Sequence, residues 1–326
     1  MKNGKTAGKG KKSVRRKQIR LTAEKQLYII IGLLVVLFVL ILAFRQTATK
    51  TAPAGGKEPP AAVSPAERSR KETGPKTRKP EKGSRTQTVH PFFPAGVEIP
   101  RPADRTFVLS NQDGRYTLLY DTTYRQAAWV AYLLTGKDVK PKGAERRNRF
   151  APDPQVLKRG WRSAGNDDYL RSGYDKGHLL PSADRNNDRR ENDATFLFSN
   201  IAPQRPALNR KIWNALEAEV RRAAERFDTV YVVTGGHLKP GLKRIGREKV
   251  GVPERFFKVL LARSGPEYLS IGFLIPNRDS FSGSCWDYAV PVDEVERETG
   301  LDFFHLLPDS VEARIESRRT TTAWRK

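Results

Sequence analysis

The sequence predicts an α+β fold for residues 92–326, with one long helix packed on an antiparallel sheet. Runs of branched and aromatic residues, separated by turn residues, predict several strands. Residues 208–227 carry apolar side chains at spacings of three and four, which predicts a helix with one apolar stripe. Because strands dominate this part of the chain, an antiparallel sheet is expected.

The N-terminal part is not globular. Residues 28–44 (YIIIGLLVVLFVLILAF) are seventeen apolar or small residues without a charge, close to the minimum that spans a bilayer core of roughly 30 Å. Ala43, Phe44 and Arg45 make a poor cleavage site, so an uncleaved signal anchor is favoured over a cleaved signal peptide.

The charge pattern predicts the orientation of this anchor. Residues 2–25 carry ten Lys and Arg against one acid. By the positive-inside rule, residues 1–27 form a basic cytoplasmic tail. The folded domain is then expected outside the cytoplasm, in the periplasm, on a single-pass protein of the inner membrane.

The composition of residues 45–91 predicts a disordered linker, because this segment is rich in Pro, Gly, Ala, Lys and Glu and nearly lacks large apolar residues. The tail and the linker hold +9 and +7 of the net charge of +24, which leaves +8 for the rest of the chain. Most of the basicity is therefore no evidence for a nucleic-acid groove.

The elements of the folded domain follow from local patterns. Residues 137–165 are polar and arginine-rich, which predicts a long surface loop, and residues 293–299 predict a second, shorter helix. The predicted strands are 116–120, 128–134, 194–201, 230–234, 255–262 and 268–275, and the last two are expected to pair through a turn at Ser264-Gly265-Pro266.

Cysteine and histidine are scarce. The chain has one cysteine, Cys285, and four histidines, so a disulfide framework within the chain and a thiolate zinc site are excluded. Cys285 lies in an apolar stretch and is expected to be buried. A metal site would have to use oxygen ligands, which favours Mg²⁺ or a similar hard cation.

Three short motifs place a base, an amide oxygen, a carboxylate and cations close together in the sequence. They are residues 174–181 (YDKGHLLP), residues 199–204 (SNIAPQ), and Leu208-Asn209 followed by Glu217. Metal-assisted cleavage of a phosphodiester is the leading chemistry for such a set. His178, after a glycine that permits a tight turn, is the candidate base.

Each of these residues also has a purely structural interpretation. Asn209 and Glu217 lie about 12 Å apart along an ideal helix, too far to bind one ion directly unless the chain bends near Asn209. Asn209 could instead cap the helix, and Glu217 could pair with Arg221 one turn later. His178 could be structural. His237 repeats the Gly-His order without downstream partners and is interpreted as an ordinary loop residue.

Taken together, the motifs resemble the DNA/RNA non-specific endonuclease family, within the ββα-metal (His-Me finger) group. The resemblance is carried by Tyr-Asp-Lys-Gly-His-Leu-x-Pro, Ser-Asn-Ile-Ala-Pro-Gln and Leu-Asn-x-x-x-Trp-x-x-Leu-Glu, and covers about residues 105–310. It implies a ββα-metal nuclease domain that binds DNA or RNA through the phosphate backbone.

The resemblance implies a role for each motif residue. His178 matches the general base that activates the attacking water. Asn209 matches the single protein ligand of Mg²⁺, for which Mn²⁺ is expected to substitute. Glu217 matches the carboxylate that holds a metal-bound water.

Two cations complete the implied site. Lys176 stands where the family often has arginine, and it keeps the charge but loses the planar two-point grip on phosphate. A second phosphate-binding arginine is expected upstream. Arg147 is the first choice for that role, with Arg149 close behind.

These assignments predict a Mg²⁺-dependent, sequence-non-specific endonuclease that leaves 5′-phosphate and 3′-hydroxyl ends. The alternative is a catalytically inactive, membrane-tethered module that only binds nucleic acid. A third interpretation makes the basic tail the working part, which would bind acidic lipid or nucleic acid by charge alone. It leaves the motifs unexplained.

Overall fold

The computed structural model describes residues 93–104, 106–140 and 143–325. The predicted basic tail, apolar segment and linker (residues 1–27, 28–44 and 45–91) all lie outside these residues. Within the described residues, no helix is both long and apolar enough to cross a membrane.

The strands range from two to ten residues in length. In chain order they are β1 (Val108–Asn111), β2 (Tyr116–Asp121), β3 (Gln126–Thr135), β4 (Asp175–His178), β5 (Ile201–Gln204), β6 (Thr229–Gly236), β7 (Arg244–Ile245), β8 (Val250–Gly251), β9 (Arg255–Ser264), β10 (Glu267–Pro276) and β11 (Ala289–Val290).

The helices lie mostly in the second half of the domain or are very short. They are α1 (Pro154–Lys158), α2 (Asn166–Tyr169), α3 (Arg189–Ala194), α4 (Asn214–Phe227), α5 (Val292–Thr299) and α6 (Asp309–Glu316), and a π-helical segment, Leu208–Trp213, runs directly into α4.

A seven-stranded sheet is the centre of the described fold. Its order is β1-β2-β3-β6-β9-β10-β11, and every neighbouring pair is antiparallel. The antiparallel sheet and the α+β class predicted from the sequence are confirmed.

Side chains alternate along the central strands and divide the core into two layers. In β9, Phe256 and Leu260 belong to one hydrophobic cluster, and Phe257 and Val259 to the other, as strand geometry requires. The first cluster includes apolar residues of α4. The second includes apolar residues of α5 and α6. The long helix therefore covers one face of the sheet, and the two C-terminal helices cover the other.

Strands β4 and β5 form a small hairpin that is separate from the seven-stranded sheet and contacts the start of the long helix. Strands β4 and β5 pair antiparallel, with His178 opposite Ile201, and the π segment and α4 follow. Gly177 is needed in this hairpin because a β-carbon there would overlap the side chain of Gln204 on the opposite strand. Two strands followed by a helix is the ββα arrangement that the family resemblance implies.

One predicted strand is wrong. Residues 194–201 were expected to be extended, but Ala194 ends α3 and a 3₁₀ turn covers Phe198–Asn200. The buried side chain of Asn200 folds this segment back. Its Oδ1 accepts from Leu180 N, and its Nδ2 donates to the carbonyls of Leu180 and Thr195 at 2.8–2.9 Å.

The helices were predicted in part. The long helix is confirmed over residues 208–227 with a π-helical first part, and the shorter one is confirmed as α5. Helix α6 was not predicted. The predicted loop 137–165 contains α1, whose N-cap Asp153 accepts from Gln155 N at 2.8 Å. Cys285 is buried, as expected.

Candidate active site

His178 occupies the last position of β4, with its ring among aromatic side chains. Its ring centroid lies 4.8 Å from that of Phe196 and 5.6 Å from that of Phe150. Trp213, from the π segment, donates its indole N–H to the carbonyl oxygen of His178 at 3.3 Å. The hairpin and the helix thus fix the histidine from two sides.

The surroundings keep His178 uncharged. The residue is only 9% exposed, and burial, followed by the charges of Arg146 and Lys176, lowers the pKa of His178 to about 3. Its Nε2 atom has no hydrogen-bond partner in the part of the chain that the structure describes. A neutral imidazole has one unprotonated ring nitrogen, which is the form that a general base needs.

Lys176 lies on the same face of β4 as His178, because side chains two residues apart in a strand point the same way. Its Nζ lies 4.1 Å from the centroid of the Phe150 ring and donates to Asn166 Oδ1 at 2.8 Å. The ammonium group is held partly exposed at the edge of the site, and burial lowers the pKa of Lys176.

Arg146 is the upstream arginine whose charge acts on the pKa of His178. It donates to Ser182 Oγ at 3.0 Å, and its guanidinium lies 5.3 Å from the centroid of the Phe196 ring. Arg147, the arginine chosen from the sequence, instead pairs with Asp193 through two N–H groups. Arg149 is exposed. The structure therefore brings Arg146, and not Arg147, into the electrostatic surroundings of His178.

Asn209 is oriented by a carboxylate from the hairpin. Its Nδ2 donates to Asp175 Oδ2 at 3.0 Å, and Arg210 binds both oxygens of Asp175 at 2.7–2.8 Å. Although partial burial opposes the effect, the hydrogen bonds from Arg210 and Asn209 lower the pKa of Asp175. The amide nitrogen of Asn209 is thereby held by an ionised group, and its oxygen makes no hydrogen bond within residues 143–325.

The helix-cap interpretation of Asn209 is wrong. Its backbone N–H donates to Arg205 O at 2.9 Å, so the residue lies inside the first helical turn. That turn is π-helical over Leu208–Trp213, where hydrogen bonds run from i to i+5. An ideal α-helical projection therefore does not give the placement of Asn209 relative to Glu217.

Glu217 lies one turn into the α-helical part, with its carboxyl partly buried. Burial, with the nearby charge of Asp184, raises the pKa of Glu217 to about 7, against the opposing charges of Lys258, Arg221 and Arg146. The ion pair that the structure shows for Arg221 is with Asp184, at 3.0 Å. The sequence suggested that Arg221 could pair with Glu217. In the structure, Arg221 forms its ion pair with Asp184 instead.

Lys258 and Asp184 were missed in the sequence. Lys258 is fully buried in β9, and its Nζ lies 4.7 Å from the centroid of the Trp213 ring. Burial lowers the pKa of Lys258 to about 8, while the charges of Glu217 and Asp184 oppose the shift. A lysine within an otherwise apolar strand was the available signal. Asp184 gave none.

His237 lies apart from this group. Its Nδ1 is 3.1 Å from Glu298 Oε1, and Glu298 belongs to α5 on the opposite face of the sheet. This agrees with the interpretation of His237 as an ordinary loop residue. The site therefore gathers His178, Lys176, Arg146, Asn209 and Glu217 around the hairpin and the long helix.

Comparison with known proteins gives this arrangement a family. Residues 105–310 match the family model described as DNA/RNA non-specific endonuclease. The chain belongs to the DNA/RNA non-specific endonuclease family. The matched residues contain the hairpin, the π segment, α4 and every strand of the sheet.

Relatives of this endonuclease family occur in bacteria and in mitochondria. The chain is 35% identical over 206 residues to "Nuclease EXOG, mitochondrial" of Danio rerio, which covers 59% of this chain and 60% of that protein. It is 34% identical over 224 residues to "Nuclease" of Nostoc sp., covering 66% of this chain and 79% of that protein. The match thus spans less than two thirds of the length of the first relative.

A solved structure of the family has a similar fold. The structure described as "Crystal structure of the EndoG/EndoGI complex: Mechanism of EndoG inhibition" matches with a TM-score of 0.57 and 33% identity. The match covers 63% of this chain and 88% of that one.

Proposed function

We propose that this protein is a Mg²⁺-dependent endonuclease that hydrolyses phosphodiester bonds of DNA or RNA without sequence preference. The observation that carries the proposal is the neutral, buried His178 beside two cations, on a hairpin joined to the helix that bears Asn209 and Glu217. Membership of the endonuclease family supports it.

His178 acts as the general base in this proposal. Its low pKa leaves it unprotonated at neutral pH, and its backbone is fixed by Trp213. It takes a proton from water as the water oxygen bonds to phosphorus and the bond to the 3′-oxygen breaks. The departing 3′-oxygen takes up a proton from solvent water, and His178 later returns its proton to solvent, which leaves 5′-phosphate and 3′-hydroxyl ends.

Lys176 and Arg146 bind the phosphate groups next to the scissile bond. We assign to Arg146 the role that the sequence suggested for Arg147, because Asp193 already holds the guanidinium of Arg147. Contacts to phosphate position the backbone but carry no base information. A site of this kind therefore cleaves without regard to sequence.

Asn209 and Glu217 fit a hard cation. The amide oxygen of Asn209 is left without a hydrogen bond while its nitrogen is held by Asp175, and Glu217 offers a partly buried carboxyl group without a hydrogen bond among residues 143–325. Oxygen ligands of this kind suit Mg²⁺, and Mn²⁺ as a substitute. When bound, Mg²⁺ polarises the scissile phosphate and stabilises charge on the leaving 3′-oxygen.

We further propose that residues 28–44 anchor the protein in the inner membrane. Residues 1–27 then lie in the cytoplasm, and residues 92–326 in the periplasm. The support is the uncharged apolar run and its basic N-terminal flank. A linker of residues 45–91 lets the domain reach roughly 35 Å from the membrane. A reporter fused after Lys326 should be active only outside the cytoplasm.

Plasmid cleavage tests the enzymatic proposal directly. The full chain, incubated with supercoiled DNA or with RNA, should cleave both when Mg²⁺ is present and neither when EDTA removes the metal. Labelling should find phosphate at the 5′ ends. If the protein slows the migration of DNA in a gel-shift assay but breaks no strand with any divalent metal tested, the result would support the inactive binding module instead.

A further inference from the structure

A second group of acidic side chains lies across the sheet from the candidate active site. Helices α5 and α6 pack on the opposite face, with Val295 and Ile315 in the core between them and the sheet. The end of α6 is tied to β10, because Ser270 Oγ donates to Ile315 O at 2.8 Å. The position of the next residue, Glu316, is therefore fixed by the core.

Three carboxylates meet between the two helices. Asp293 and Glu296 lie one turn apart in α5, Glu316 ends α6, and one oxygen of each lies within 4.8 Å of the others. No arginine or lysine forms an ion pair with any of the three in the described part of the chain. Glu296 accepts from Phe303 N at 2.7 Å, which fixes its carboxylate and leaves one oxygen for another ligand.

Glu316 is the unusual member of this group. It is 4% exposed, and its Oε1 has no hydrogen-bond partner among the residues that the structure describes. An ionised carboxylate that is buried without a partner is strongly destabilising unless a proton or a cation neutralises it. Burial and the surrounding acids raise the pKa of Glu316 to about 9.

Neighbouring residues increase the negative potential. Asp302 and Glu312 add their charges to those acting on Glu316. Arg101 pairs with Asp302 at 3.1 Å and not with the three carboxylates. The group therefore combines an unpaired buried carboxylate with the potential that attracts a cation.

We propose that Asp293, Glu296 and Glu316 form a Ca²⁺ site that holds α5 and α6 together, separate from the nuclease site. Three hard oxygen ligands favour Ca²⁺ or Mg²⁺ over softer metals. Ca²⁺ accepts oxygen ligands at about 2.3–2.6 Å in flexible geometry, whereas Mg²⁺ demands near-octahedral geometry at about 2.0–2.1 Å. Three oxygens within 4.8 Å of one another can therefore all contact one Ca²⁺ ion. Asp293 is exposed, so water can complete the coordination.

Thermal unfolding of the full chain with added CaCl₂ tests this site. A Ca²⁺ concentration ten times the dissociation constant, which we expect at about 10⁻⁴–10⁻³ M, should raise Tm by about 3–6 °C. Glu316→Gln should abolish that increase. Glu294→Gln, which removes the same charge from α5 outside the group, should retain it, as should Asn209→Ala, which alters the nuclease site.

The same variants distinguish a bound Ca²⁺ ion from a proton that the three carboxylates share. Glu316→Gln should keep wild-type cleavage in Mg²⁺, while isothermal titration with Ca²⁺ shows one binding site fewer than in Glu294→Gln. A wild-type Tm that does not change up to 10 mM Ca²⁺ would overturn the proposal. So would a Ca²⁺-dependent increase of equal size in Glu316→Gln, or its loss in Asn209→Ala.

Discussion

Trp213 donates its indole N–H to the carbonyl oxygen of His178 at 3.3 Å. This bond joins the π-helical segment to the end of the hairpin strand, the two elements that carry the candidate metal ligand and the candidate base. The same indole ring lies 4.7 Å from Nζ of the buried Lys258. Trp213 therefore connects the hairpin, the helix and the central sheet at one point.

Replacing Trp213 with Phe should lower the catalytic rate more than the stability loss explains. Phenylalanine keeps an aromatic ring at this position but has no N–H to donate to the carbonyl oxygen of His178. A hydrogen bond of this kind contributes about 1 kcal/mol net. Cleavage per folded molecule should fall about 5-fold, since 1.4 kcal/mol corresponds to a factor of ten. The measurement is kcat together with the free energy of unfolding.

Trp129→Phe is the matched control. Trp129 is also fully buried, but its indole nitrogen has no hydrogen-bond partner in the described residues, and it belongs to the other face of the sheet. It should lose comparable stability through packing and keep its rate per folded molecule. Equal losses of rate in both variants would mean that the bond to His178 does not position the base.

His178→Ala should reduce cleavage by about 10²–10⁴-fold because it removes the proton acceptor. DNA binding should persist, since Lys176 and Arg146, the proposed phosphate-binding cations, remain. His237→Ala serves as the control, because His237 contacts Glu298 away from the site. Gel-shift and cleavage assays on both variants check this expectation, and similar losses in the two would show that the base is misassigned.

Much of this organisation is accessible from the sequence, because continuous apolar runs indicate buried strands and apolar spacings of three and four indicate a helix. Strands β3, β6, β9 and β10 have apolar residues on both faces and were predicted correctly. Residues 194–201 were mispredicted because Phe196 packs against the His178 ring and not into the sheet. Helix α6 was not predicted because its apolar stripe is weak and no clear spacing of apolar residues indicates a helix there.

The site was harder to predict where residues far away in the sequence determine which side chains are already paired. Arg146 and Arg147 are adjacent, and only Asp193, 46 residues further on, shows which of them is already paired. The π turn that includes Asn209 has no sequence signature that separates it from an α-helical turn. The three motif residues His178, Asn209 and Glu217 needed the family pattern, because each also has a structural interpretation when taken alone.

Arg146→Ala should weaken cleavage more than Arg147→Ala. Arg146 lies near His178 and Glu217, whose pKa values respond to its charge, and its loss should raise KM for DNA and reduce kcat/KM by about 10-fold or more. Arg147→Ala breaks the ion pair with Asp193, so it should chiefly lower Tm. If Arg147→Ala had the larger effect on kcat/KM at matched folded fraction, the phosphate contact would belong to Arg147.

Acid should destabilise the protein through His178. The folded-state pKa of about 3 lies below the ordinary value of 6.5, so the unfolded chain binds the proton more readily. The stability linked to His178 is therefore complete above pH 6.5 and is lost as the pH falls toward 3, at up to about 1.4 kcal/mol per pH unit. Urea unfolding between pH 7.5 and 4 measures this slope.

His178→Asn isolates the histidine contribution, because asparagine does not titrate. The pH slope of its unfolding free energy below pH 6.5 should be shallower than that of the wild type by up to one proton. Identical slopes in the two proteins would show that His178 is solvated and titrates normally in the folded state.

The most direct test of the nuclease assignment is the Mg²⁺ dependence of plasmid cleavage by the wild type, Asn209→Ala and Glu217→Gln. Asn209→Ala should nearly abolish cleavage at every Mg²⁺ concentration, because the oriented amide oxygen is gone. Glu217→Gln should cleave about 10–100-fold more slowly, with partial recovery in excess Mg²⁺. An Asn209→Ala protein that cleaves at the wild-type rate with an unchanged Mg²⁺ requirement would contradict the site proposed for this chain.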